Sequence, residues 1–185
     1  MDSRDREVRR KQERGAFAVE FALVAMIFFT VLLGIIELGR FMYLWNSVQE
    51  VTRRAAREAV VRDFTAAEIG AIQRDAIFRS GSSGTVGLPG GGELTNLRID
   101  IQYLNGLGNP AAPMPNDPAD NQAACADASR QNTCIQYVQA RVCASGEEGC
   151  PPVQYVPMVG LFPFLAIDIP ESTVTMPAES LGYRP

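Results

Sequence analysis

Histidine is absent from the 185-residue chain. That absence removes Ser-His-Asp and Cys-His catalysis and every His-containing zinc site, leaving only carboxylate or cysteine-only chemistry. No Gly-Lys-Ser/Thr follows the glycine runs at Gly81–Gly84 and Gly90–Gly92, so they read as linkers rather than phosphate cradles. No internal repeat is visible. The net charge of −4 divides unevenly: residues 1–15 carry six basic against four acidic side chains, which leaves −6 on the remainder. A mildly acidic body gives no reason to expect nucleic acid as a partner, because phosphate binding needs clustered Arg and Lys.

Charge is also missing from Phe21 to Ile36, and between Ala16 and Ile36 the only charged residue is Glu20. About 20 mainly apolar residues are enough for a helix to cross a hydrocarbon core. The flanks agree. Arg4, Arg6, Arg9, Arg10, Lys11 and Arg14 precede the segment, and Phe41, Tyr43 and Trp45 cluster where it ends. The positive-inside rule puts residues 1–15 in the cytoplasm and the bulk of the chain outside, with the aromatics as an interfacial belt. The sequence Ile36-Glu37-Leu38-Gly39-Arg40 is a poor A-x-A cleavage site, which disfavours an ordinary secretory signal peptide. A carboxylate just inside an apolar helix is costly and marks Glu20 as functional, against the plain alternative of a signal anchor whose Glu20 snorkels. Glu37 repeats the oddity at the outer end. Arg40, three residues on, is an available partner, and the pair reads as a solvated interfacial salt bridge or else a contact to another subunit.

The pattern Arg14-Gly15, Ala16-Phe17-Ala18-Val19, then Glu20-Phe21 leading into such a helix resembles the prepilin signals of tight adherence (Flp-type) pili. RGAFAVEFALV followed by GIIELGRFMY resembles more closely the TadE family of minor pilins or pseudopilins. The resemblance is specific through Val60 and then thins to Tyr155, Gly160 and Ser172–Met176. It implies that a membrane-embedded prepilin peptidase cuts between Gly15 and Ala16, leaving Glu20 fifth in the mature chain and followed by Phe21. Cleavage would free an α-amino group on Ala16, cationic at neutral pH with a pKa near ~8. Glu20 of one helix could neutralise that group on a neighbour, and breaking such a buried pair costs about 3–5 kcal/mol. The other partners implied are pilin or pseudopilin subunits and the inner-membrane assembly platform.

From Phe41 to Phe64 there is neither Gly nor Pro, and Val48, Val51, Ala55 and Ala59 recur at helical spacing, so the helix is expected to run on under a head. Thr65-Ala66-Ala67-Glu68 is a capping-box pattern opening a second helix to about Phe78. Ser80–Gly84 ends it, and Gly90–Gly92 continues a flexible loop. Leu97, Ile99, Ile101 and Tyr103 alternate with polar residues as in a half-buried strand. Residues 105–124 read as a long surface loop, Thr133–Cys143 as a second strand, Pro151–Pro170 as a packed irregular segment and Ser172–Met176 as a third strand.

Cys125, Cys134, Cys143 and Cys150 all fall on the expected exported side, where two disulfides are the natural state. An extended 134–142 would hold Cys134 and Cys143 about 27–30 Å apart at ~3.3 Å per residue, which excludes that pairing. Two pairings remain: 125–134 with 143–150, or 125–143 with 134–150. The first is favoured because each bond closes a short polar loop. A four-thiolate zinc site is disfavoured by the wide gaps.

The sequence therefore predicts an α+β, pilin-like protein in four parts: a basic cytoplasmic leader (1–15), a transmembrane helix (16–40), an extracytoplasmic helical region (41–79) and a small disulfide-stapled antiparallel-sheet head (80–185). It would be a single-pass inner-membrane structural subunit, not an enzyme, with no cofactor, metal, small-molecule substrate or nucleic acid. The rival from another class is an uncleaved, single-pass anchored binding module.

Overall fold

The structure, a computed structural model, describes residues 3–144, 149–158, 160 and 163–182, with side chains from Phe17 onward. The leader's basic side chains and that of Ala16 lie outside this set, as does the part of the Cys143–Cys150 loop at 145–148.

A single helix, α1 (Ser3–Ala59), runs for 57 residues, about 85 Å at 1.5 Å per residue. Nothing in its sequence breaks it. Thr30 satisfies its hydroxyl on Met26 O, one turn back, so the polar group costs the apolar stretch little. The helix changes character along its length. Between Phe17 and Ile36 no side chain is buried, whereas Glu37, Phe41, Leu44, Val48, Val51 and Ala55 form a buried stripe at alternating spacings of four and three. That stripe is the face on which the head is built.

The head packs one three-stranded antiparallel sheet and one hairpin against it. The sheet order is β3 (Ile99–Leu104), β4 (Tyr137–Val142), β5 (Thr173–Pro177), with Tyr103 opposite Val138 and Val138 opposite Met176. The central strand alternates cleanly: Val138, Ala140 and Val142 are buried, while Arg141 bonds Asp100 directly opposite at 2.7 Å and Gln139 bonds Thr175 at 3.1 Å. This is the two-faced pattern of a sheet with one side on a core. Its apolar side joins Phe41, Leu44, Val48, Val51 and Ala55 of α1 in one cluster with Val153, Tyr155 and Ile169.

Helix α2 (Ala66–Ala76) starts at Thr65, whose hydroxyl accepts from Glu68 N–H. The reciprocal half of the capping box is not made. Glu68 instead pairs with Arg62 at 2.8 Å, and Arg62 also holds Glu58 and Asp75, which clamps the end of α1 to α2. The carbonyls just past the end of α1 find partners in residues 179–182: Glu179 and Leu181 N–H donate to Val60 O, and Gly182 N–H to Val61 O. Gly182 has φ +82°, and a Cβ there would meet the Asp63 backbone at 2.7 Å, so only glycine makes this cap.

Several expectations are corrected. α1 ends at Ala59 and α2 at Ala76, each a few residues early. Phe41 is core rather than belt, at 6% exposure. Gly90–Gly92 is not a linker: β1 (Gly87–Leu88) and β2 (Gly91–Thr95) form a hairpin there, and a Cβ on Gly91 would overlap Leu44 Cδ2. The glycine lets the hairpin lie directly on α1. Leu97 belongs to a short 3-10 turn and is exposed. The supposed loop after Asn105 contains α3 (Pro118–Ala126), capped by Asp117, which accepts from Asp120 N–H, with Pro at the first helical position where its missing N–H is harmless. The second strand begins at Tyr137 rather than Thr133.

Candidate functional site

Two acidic residues of α1 stand where acids are expensive, and the structure treats them oppositely. Glu20 lies within the uncovered apolar stretch, exposed, as is Phe21 beside it. Among the described residues it forms no hydrogen bond or ion pair. The peptide between Gly15 and Ala16 lies within the continuous α1 backbone.

Glu37 is 2% exposed. Tyr155 donates its hydroxyl in a short bond to Glu37 Oε1, and Met158 N–H donates to the same oxygen at 3.0 Å. Arg40 Nη1 stands 3.6 Å from it. Arg40 does more than balance Glu37: it pairs with Glu93 on β2, donates to Val156 O at 2.9 Å and lies 5.0 Å from the centre of the Tyr155 ring. Phe41 meets that ring edge-on at 5.3 Å. The solvated salt bridge expected from the sequence is therefore replaced by a buried network that ties α1, β2 and the segment after Val153 at one level. The reason is the stripe: Glu37 occupies its first position, four residues before Phe41, so it faces the head rather than water.

Burial pushes the Tyr155 hydroxyl up to about 12, helped by its bond to the Glu37 carboxylate and opposed by Arg40. It stays protonated and keeps donating across the neutral range. A buried carboxylate is tolerable only when its lone pairs are satisfied in this way. The arrangement has no acid–base pair facing a cleft. Its chemistry is structural.

The cysteines take no part in this network, although Cys150 lies only five residues before Tyr155. Cys125 bonds Cys134, and Cys143 bonds Cys150, so neighbours in sequence are joined. Each closes a short loop, pinning α3 to the entry of β4 and the end of β4 to the Val153 segment. No cluster of three or more His, Cys, Asp or Glu side chains suited to a metal occurs among the described residues.

Sequence reasoning placed Glu37 and Arg40 together but missed Glu93 and the direct bond from Tyr155. The usable signal was a lone phenol heading the apolar Val156–Leu165 run. Such a group must find a partner when buried.

No curated protein and no solved structure matches the chain. The long apolar helix suggests a membrane anchor, and the family match falls on that helix, from one residue before Ala16 to the last turn of α1. Residues 15–57 match the family model described as TadE-like protein, a structural, pilus-related family.

Proposed function

We propose that the chain is a minor pilin or pseudopilin-like structural subunit whose leader a prepilin peptidase removes between Gly15 and Ala16, and which acts in assembly or initiation of a tight adherence (Flp-type) pilus. What supports the reading is one coincidence: the TadE-like match covers a helix whose Phe17–Ile36 segment is apolar and has no buried side chain, with Glu20 as its only charge. In lipid alone that carboxylate is a liability. In a bundle of processed helices the new amino group of a neighbour's Ala16 gives it a partner.

Under this reading the N-terminus faces the cytoplasm and the head lies outside the inner membrane. The partners are the peptidase, other pilin or pseudopilin subunits and the assembly platform. No cofactor or catalytic residue is needed.

The test is the intact mass and N-terminal sequence of the membrane-fraction protein, with and without the peptidase. A chain beginning at Ala16 only when the peptidase is present is the expected result. A chain still beginning at Met1 with active peptidase overturns the proposal and leaves an uncleaved anchored module.

A further inference from the structure

Residues 153–158 and 163–169 pair as two arms beside the first buried residue of α1. The arms are joined by Ile169 N–H to Val153 O at 2.8 Å and Tyr155 N–H to Ile167 O at 2.9 Å, with Gln154 opposite Asp168. Val153, Tyr155 and Ile169 face inward and are buried with Phe41 and Leu44. The turn is held to α1 by Met158 N–H on Glu37 and by Arg40 on Val156 O.

Apart from Gln154 and Asp168 at its base, both exposed, its outward side chains among the described residues are apolar. Val156 is 58% exposed, Met158 73%, Phe164 72% and Ile167 41%. From Tyr155 to Ile167 the sequence has no charged residue. Leu38 and Met42 of α1, on either side of Arg40, are each 51% exposed, so the turn extends an apolar surface that begins on the helix.

The level of this surface along α1 identifies what covers it. The uncovered apolar run Phe17–Ile36 has a length of about 30 Å, the thickness of a hydrocarbon core. Glu37 is the next residue, so a backbone group bonded to its carboxylate stands at the membrane boundary. We propose that the outward faces of these two arms rest in the outer leaflet, with Val156, Met158, Phe164 and Ile167 among the acyl chains. The head would then be seated on the bilayer at two points, the helix and the turn. The inference rests on the membrane-anchor reading but not on leader cleavage or pilus assembly.

A bilayer suits this surface better than a second copy of the chain. Lipid requires apolar side chains and satisfied backbone groups rather than a complementary shape. The Tyr155, Met158 and Ile167 N–H groups are all bonded, and the surface is continuous with the segment that lipid already surrounds. Glu37, Arg40 and Glu93 are turned into the head and do not oppose insertion, and the exposed Asp168 stands at the base of the turn, opposite Gln154, at headgroup level.

The experiment uses the full chain in a Trp45→Phe background, with one new tryptophan at a time, reconstituted into phosphatidylcholine vesicles with or without brominated acyl chains. Phe28→Trp reports the helix core, and Leu107→Trp, at a site 80% exposed on a polar loop, reports water. Met158→Trp and, as a second reporter in case the first disturbs folding, Phe164→Trp report the turn. Several-fold quenching at the turn and at Phe28→Trp, with none at Leu107→Trp, is expected. Water-like, unquenched emission from both turn reporters beside a quenched Phe28→Trp overturns the inference and leaves the anchor intact. Blue-shifted but unquenched turn emission that depends on the protein-to-lipid ratio also overturns it, in favour of contact between copies. An unquenched Phe28→Trp overturns the anchor reading itself.

Discussion

The inner and outer halves of α1 each carry a glutamate in a setting that penalises charge, and among the described residues only the outer one has partners. Glu37 is enclosed by Tyr155, Met158 and Arg40, whereas Glu20 is exposed on an apolar surface without a partner among the described residues. One helix thus shows two ways of handling a misplaced charge. The outer carboxylate belongs to the fold. The inner one has no such enclosure among the described residues, and the pilin proposal gives it a partner on a neighbouring subunit.

Substituting the two glutamates breaks or upholds that contrast most directly. Glu37→Ala removes the acceptor shared by Tyr155 and Met158 and is expected to lower head stability by about 3–5 kcal/mol, the cost of breaking a buried charged network. Urea unfolding in detergent, followed through protease resistance of the head, reads this. Glu20→Ala is expected to change the same curve by less than about 0.5 kcal/mol, while abolishing pilus assembly. Equal destabilisation by both would erase the difference between the halves.

Tyr155→Phe sharpens the outer case at smaller cost. It leaves the carboxylate buried with one donor fewer, a loss of about 1.5–3 kcal/mol for a hydrogen bond to a charged group. It also carries a pH signature. Burial first, and then the bond to Glu37, raise the Tyr155 hydroxyl from about 10 to about 12, so the folded head holds this proton more tightly than the unfolded chain. That contribution is complete below pH 10 and is lost as the pH rises through 12. The alkaline loss should shrink in Tyr155→Phe without vanishing, because burial and the nearby charge of Asp63 also raise Tyr103. An unchanged alkaline limb would separate Tyr155 from the network.

The contrast between the halves also explains what could be read from the sequence. The long helix and the uncovered inner segment were legible because one helix settles them: an uncharged run and its flanks need no knowledge of what packs elsewhere. The third strand, Ser172–Met176, lies within one residue of β5 (Thr173–Pro177), since alternation is local too. Glu37 was misread because its burial depends on Tyr155, more than a hundred residues away. The Gly90–Gly92 run was misread for the same reason, as Leu44 rather than the local sequence demands Gly91. Helix α3 was the avoidable miss. Asp117-Pro118 with Asp120 is a cap signal, hidden in a stretch whose Pro and Asn content suggested only loop.

Glycines give a finer comparison. Gly91→Ala places a methyl group against Leu44 and is expected to cost about 1–3 kcal/mol by overpacking, partly restored by Leu44→Ala in the same chain. Additive losses in the double variant would mean that the hairpin does not press on α1.

Gly39 lies on α1 two residues beyond Glu37, yet it is exposed, and a Cβ there meets nothing within 4 Å. Within the single chain it has no packing reason to be glycine, and glycine inside a helix costs about 0.8–1.0 kcal/mol relative to alanine. Gly39→Ala should therefore stabilise the isolated protein slightly, by up to that amount, in the same unfolding assay. The informative step is to pair that measurement with assembly. If the surface around Gly39 faces only lipid, assembly is unchanged, because a methyl group among acyl chains is neutral. If a neighbouring helix approaches closely there, the same methyl group blocks the approach, and assembly falls while the isolated head gains stability. That opposite movement would extend to Gly39 what the pilin proposal assigns to Glu20: a role made by the neighbouring subunit rather than by its own chain.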